Sequence, residues 1–162
     1  MKLDRKYVSF YYDQVEDFPD YKIDPKKTML LLIDLQNEFC HLEGKEAQEF
    51  KAAGVWDQWK PYFDHMENTT IPNAKKLLDF FRANNLPVSF GRIACLREDG
   101  EDRSPVQKSE GWNNMLMPVD SWAAQIVDEL APIKNEIVVN KTTDSVTTGT
   151  NYLQLLRYMG IT

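Results

Sequence analysis

Asp34 lies near the end of the apolar run Met29–Leu35, and Lys141 directly follows a second run, Glu136–Asn140. A carboxylate in such a run is costly to bury unless it emerges at an edge. If both runs are parallel strands, both charges leave the carboxyl edge of one sheet, where open α/β sheets bind ligands. There a lysine can hold a carboxylate in place, shift its pKa or stabilise a developing anion. A helix cap or structural salt bridge is the competing reading for the aspartate, and solvated surface for the lysine. What the pair lacks is a nucleophile. Cys40 adjoins His41, but neighbouring residues point apart, and Cys95 has no base near it in sequence. There is no G-x-S-x-G elbow, P-loop or G-x-G-x-x-G. His41 and His65 have no partner at metal-ligand spacing, so neither a metal nor a cofactor is expected.

The elements that must position the pair follow from periodicity. Met29–Leu35 is short, continuous and apolar, as expected of a strand covered on both faces. Pro87–Gly91 and Glu136–Asn140 are the further strand candidates. Three segments place apolar residues at i, i+3, i+4 and i+7: Ala74, Leu77, Leu78 and Phe81; Ala123, Ile126, Val127 and Leu130; Tyr152, Leu155, Leu156 and Met159. Each predicts a helix with one apolar stripe. Asn84-Asn85 and Gly160 mark helix ends, and Pro72 a first turn. Strand and helix therefore alternate, which predicts a parallel sheet with crossover helices. Two long connections break the rhythm: residues 40–70, partly helical and aromatic, and residues 92–119. Such connections usually form lids, binding walls or subunit contacts. Residues 1–27 show no sustained period and read as an N-terminal arm, leaving 28–162 as one domain.

Composition narrows the function. At 43% hydrophobic and 27% charged, the chain is ordinary for a folded domain. A net charge of −6 argues against general nucleic-acid binding. No apolar run approaches the roughly 18 residues that suggest a membrane span, and the first residues lack the apolar core of a secretion signal. Two cysteines make no disulfide framework, which points to the cytoplasm.

The segments Leu31–Phe39 (LLIDLQNEF) and Val138–Asp144 (VVNKTTD), the latter leading to Gly149–Ile161, resemble two hallmarks of the isochorismatase-like cysteine hydrolases. The stretch Asp120–Pro132 is similar to the helix before that family's lysine strand. The resemblance runs from about Thr28 to Thr162. It implies a Rossmann-like parallel sheet with helices on both faces. It also implies hydrolysis of a C–N bond in a small amide or ureido compound, or of an isochorismate-type ether. Asp34 would be the general base, Lys141 would stabilise the thiolate or orient the carboxylate, and Asn37 and Phe39 would adjoin the substrate. Nothing between Cys40 and Thr70 reproduces the Asp-x-His metal site of the family's nicotinamidase branch.

The family's cysteine follows the strand that begins just after a Gly-Ile-Thr-like segment, and here that segment is Gly160-Ile161-Thr162. The reading is thus of a sheet lacking its last strands, with the strand bearing Asp34 at an edge. Its apolar sequence invites pairing with more polypeptide or with another subunit as a homo-oligomer. The 162 residues alone are expected to be poorly stable and inactive. A non-catalytic relative that binds a small molecule or partner is the alternative, and a flavodoxin-like signalling module a third that leaves the Lys141 segment unexplained.

Overall fold

The computed structural model describes residues 8–15, 22–111 and 113–162. Residues 1–7 and 16–21 of the expected arm, and Trp112, lie outside them. The three apolar runs form strands β1 (Leu30–Ile33), β2 (Val88–Ile93) and β3 (Ile137–Lys141). Both pairings are parallel, in the order β1-β2-β3, with Leu32 opposite Phe90, Phe90 opposite Val138 and Ile93 opposite Lys141. β1 is therefore an edge of the sheet formed by the described residues, and its Ile33 is 45% exposed.

Between β1 and β2 run α1 (Asn37–Cys40), α2 (Lys45–Ala52), α3 (Trp56–His65) and α4 (Ile71–Ala83), with a π-helical turn, Met66–Thr70, joining the last two. α5 (Tyr152–Tyr158) follows β3. Pleat alternation sends Leu32, Val88 and Phe90 to one face, where they pack with Ala74 and Leu78 of α4. Leu31 and Val139 go to the other face, with Val146 and Tyr152 of the α5 side. Helices thus cover both faces, as predicted. Of the α4 stripe, Leu77 stays half exposed, while Ile71 at the helix start is buried.

The stop signals act through one device. Asn85 and Gly160 take left-handed backbone, with φ of 53° and 70°. Leu86 N–H then donates to Phe81 O, and Ile161 N–H to Leu156 O, closing both helix ends.

The stripe Ala123 to Leu130 does not form the predicted α-helix. It makes turns, an extended stretch and a 3-10 turn at Asp128–Leu130. The cause is main-chain competition. Ala123 O and Gln125 O accept from Glu38 and Asn37 N–H, and Val127 N–H donates to Leu35 O. Groups committed to a neighbouring segment cannot close an i→i−4 ladder. The apolar spacing still brings Ile126, Val127 and Leu130 into the core.

An ion pair ties α4 to the start of β3. Arg82 meets Glu136 through two hydrogen bonds of 2.8 Å, with the carboxylate side chain 9% exposed. Burial alone would raise the Glu136 pKa, but Arg82 and the Ile133 N–H outweigh it and hold it below its usual 4.5. A depressed folded pKa stabilises above the unfolded value and fades as pH falls through the folded one. Glu136→Gln should cost about 2 kcal/mol at neutral pH. In urea titrations that cost should shrink below pH 4.5, and an equal cost at pH 3 would rule out the ionic origin.

Candidate active site

β1 and β3 deliver Asp34 and Lys141 to the same edge of the sheet, with β2 between them. Asp34 directly follows β1, and its N–H still pairs with Gly91 O at 2.9 Å. Its φ of 57° then turns the chain out of the sheet. A left-handed conformation is unusual for a residue with a side chain, and such strain collects where function over-determines the backbone. Lys141 is the last residue of β3 and is fully buried. Its Nζ donates to Asp34 Oδ2 at 2.8 Å and to Asp144 O at 3.0 Å. Gly91 makes room above the sheet, since a Cβ there would stand 3.1 Å from Val146 Cγ2 in the loop after Lys141.

The two charges are unequally placed. The Lys141 side chain is 0% exposed and that of Asp34 33%. Burial raises the Asp34 pKa above its ordinary 3.8, against the pull of Lys141 and with a further push from Asp144. Asp34 Oδ1 is buried without a hydrogen-bond partner among the described residues. The site is therefore a carboxylate with one oxygen spent on a cation and one free to take a proton, a suitable arrangement for a general base.

The other anticipated residues behave differently. Asn37 is buried, and its side-chain amide donates to Trp122 O at 2.9 Å, fastening the segment that replaced the expected helix. Phe39 is half-buried and packs against two apolar clusters, one containing Leu32 and the other Ile93 and Met117. Neither hydrogen-bonds to Asp34 or Lys141. Cys40 packs in the core, where burial, with Glu129 adding, pushes its thiol up to about 12. A thiol so raised is protonated at neutral pH and is a poor nucleophile. Cys95 is also buried, and burial followed by the Asp102 charge raises its thiol pKa. No group of His, Cys, Asp and Glu among the described residues could hold a metal ion. No helix among them is long and apolar enough to cross a membrane.

Four polar residues escaped sequence reasoning. Gln36, fully buried, accepts from Ile93 N–H at 2.7 Å and donates to Ile93 O and Ala124 O. Asp144, Gln107 and Asn113 form a second network beside Lys141. Gln36 and Asp144 stand within the segments that drew notice, but polar residues after strands read as ordinary loop. A cleft of about 750 Å³, lined by Glu38, Glu46, Phe50, Trp59, Asn113 and Met115, adjoins this network through Asn113. The ion pair is not in its wall.

Residues 28–162 match the Isochorismatase domain, and the chain belongs to that family of hydrolases. Among particular relatives, it is 30% identical over 110 residues to an N-carbamoylsarcosine amidase of Arthrobacter sp., a match covering 61% of this chain and 39% of the relative. A cysteine hydrolase from Pseudomonas syringae pv. phaseolicola 1448A has a similar structure, with TM-score 0.66 at 19% identity, over 91% of this chain and 61% of that one. An isochorismatase family protein from Desulfovibrio vulgaris subsp. vulgaris str. Hildenborough gives 0.60 at 26% identity, over 83% and 63% of the respective chains. The chain thus spans less than two thirds of the length of each of these relatives.

Proposed function

We propose that the protein hydrolyses a C–N bond of a small amide or ureido compound, with Asp34 as general base, Lys141 as its cationic partner and a cysteine other than Cys40 and Cys95 as nucleophile. The observation that carries this reading is the fully buried Lys141 ammonium on Asp34 Oδ2, at the sheet's carboxyl edge, with Oδ1 left free. In the first step Oδ1 takes the thiol proton and the sulfur attacks the carbonyl carbon, breaking its C=O π bond to a tetrahedral oxyanion. The Lys141 charge favours the anionic partners, and main-chain N–H groups would hold the oxyanion. Collapse breaks the C–N bond, and the amine leaves with the proton from Asp34. Water, deprotonated by the same carboxylate, then hydrolyses the thioester and frees the thiol.

The amidase relative supports C–N cleavage over cleavage of an isochorismate-type ether. Two buried free thiols suit a reducing, cytoplasmic setting. β1, an edge strand with Ile33 exposed, is the place where further chain or a second subunit would pair.

The test is ammonia release from a panel of small amides and ureido compounds. Full-length protein should turn over at least one of them and be inactivated by a thiol alkylant. Cys40→Ala and Cys95→Ala should leave that turnover within about twofold. Residues 1–162 by themselves should give no thiol-dependent turnover. Robust hydrolysis by those residues, abolished by Cys40→Ala, would make the core thiol the nucleophile and overturn the scheme. Saturable binding of a panel compound without turnover would favour a non-catalytic relative, a reading for which the two buried thiols speak.

A further inference from the structure

Asp144 lies exposed in the loop after Lys141, where an aspartate would ordinarily be solvated surface. Two buried amides from far back in the chain nevertheless converge on it. Gln107 Nε2 donates to Oδ1 at 3.1 Å, and Asn113 Nδ2 donates to Oδ2 at 3.3 Å. Gln107 is fully buried and Asn113 is 7% exposed. Gln107 spends its NH₂ on this carboxylate while its own Oε1 remains buried without a partner among the described residues. Reversing the amide would set Oε1 against a carboxylate oxygen, so Asp144 dictates which way Gln107 faces.

The same residue reaches the ion pair through its main chain, since Asp144 O accepts from Lys141 Nζ. A buried ammonium needs acceptors for its N–H groups, and Asp34 supplies one while this carbonyl supplies another. Ser104 N–H donates to Thr142 O at 2.7 Å, a second tie between the long connection and the same loop. The charges acting on Asp34 are Lys141 and Asp144. Arg92 is held by Asn140 and Gln125, and Arg103 by Gly100 O, Gln107 O and Asn114.

We propose that Asp144 is a positioning residue for the Asp34–Lys141 pair: its carboxylate, clamped by Gln107 and Asn113, fixes the main-chain carbonyl that steers the Lys141 ammonium onto Asp34. The proposal rests on reading that pair as the centre of hydrolysis.

The test uses full-length protein labelled for NMR at lysine and aspartate side chains. In Asp144→Ala and in Gln107→Leu, the Lys141 Nζ protons should exchange about tenfold faster than in the parent protein. In Asp144→Asn, which keeps the shape and removes the charge, the Asp34 carboxyl should titrate at lower pH. Turnover by Asp144→Ala should fall about ten- to a hundredfold in kcat with KM little changed, because misplaced groups lose rate rather than binding. A merely structural Asp144 would lower the melting temperature and leave Nζ exchange as it is in the parent, and that result overturns the proposal. If Asp144→Ala does not fold, Gln107→Leu breaks the clamp from its other side and carries the same readouts. Undiminished turnover by Lys141→Met would instead sink the hydrolase reading, while Lys141 Nζ exchange in the Asp144 and Gln107 variants still decides the role of Asp144.

Discussion

Asp34→Ala is expected to lower the unfolding free energy by about 3–5 kcal/mol, because it leaves the Lys141 ammonium buried beside an uncharged acceptor alone. The asymmetry of burial makes a second, sharper expectation. Lys141→Met should cost less, since the Asp34 side chain it leaves behind is one-third exposed and can reach water, whereas the Lys141 side chain is sealed from solvent. The double variant Asp34→Ala, Lys141→Met should therefore be more stable than Asp34→Ala alone. Urea titrations of the four proteins close the cycle, and strictly additive losses would show that the pair is not coupled. The chemical counterpart is Asp34→Asn in full-length protein, for which kcat should fall about 10²- to 10⁴-fold.

The pH dependence follows from the raised Asp34 pKa. Its folded value lies above the unfolded 3.8, so ionised Asp34 costs stability at neutral pH. That cost is relieved as pH falls through the folded value toward 3.8. Activity moves oppositely, because the base must be ionised. The acid limb of kcat/KM should sit above pH 3.8, and a limb below it would argue against Asp34 as the base.

Gln36→Leu is the other large effect. The fully buried side chain satisfies Ile93 N–H, Ile93 O and Ala124 O, which join the end of β2 to the segment paired with the turn after β1. An apolar replacement of similar size takes this partner from Ile93 N–H and Ile93 O and leaves Ala124 O with only the 3.3 Å bond from Arg92 Nη1, at about 1–3 kcal/mol for each group left dry and unpaired. A loss of about 3 kcal/mol is expected by urea denaturation, with m little changed. Gln36→Glu should not rescue it. A carboxylate can accept from Ile93 N–H but has no donor for the two carbonyls, so this variant should be more stable at pH 5 than at pH 8. The reverse order would mean that solvent enters the site.

Much of the scaffold is written locally. A dry run of the length of Met29–Leu35 has few fates other than a covered strand, and all three strands formed within a few residues of expectation. Asn85 and Gly160 end their helices because each tolerates the left-handed backbone that those ends require. The placement of Asp34 and Lys141 at one edge was likewise legible, since parallel strands send their carboxyl ends the same way. That they touch, and that one is sealed while the other reaches solvent, depends on β2 lying between them and on the loop through Val146 closing over Gly91.

The stripe from Ala123 to Leu130 marks the boundary. Its spacing reports correctly which residues are buried, but the periodicity of side chains is silent about where main-chain hydrogen bonds go. Those went to the turn after β1, and no helix formed. Gln36, Gln107, Asn113 and Asp144 were hidden for the same reason. The partners of their side chains lie 31 to 88 residues away in sequence. By itself, then, the sequence determined the strands, the helix ends and the two charges at one edge, because each depends on neighbours within a few residues. Only the tertiary structure decided which carboxylate oxygen is spent on the lysine and what holds the ammonium in place, because a hydrogen bond between distant segments exists only once the sheet has set their separation.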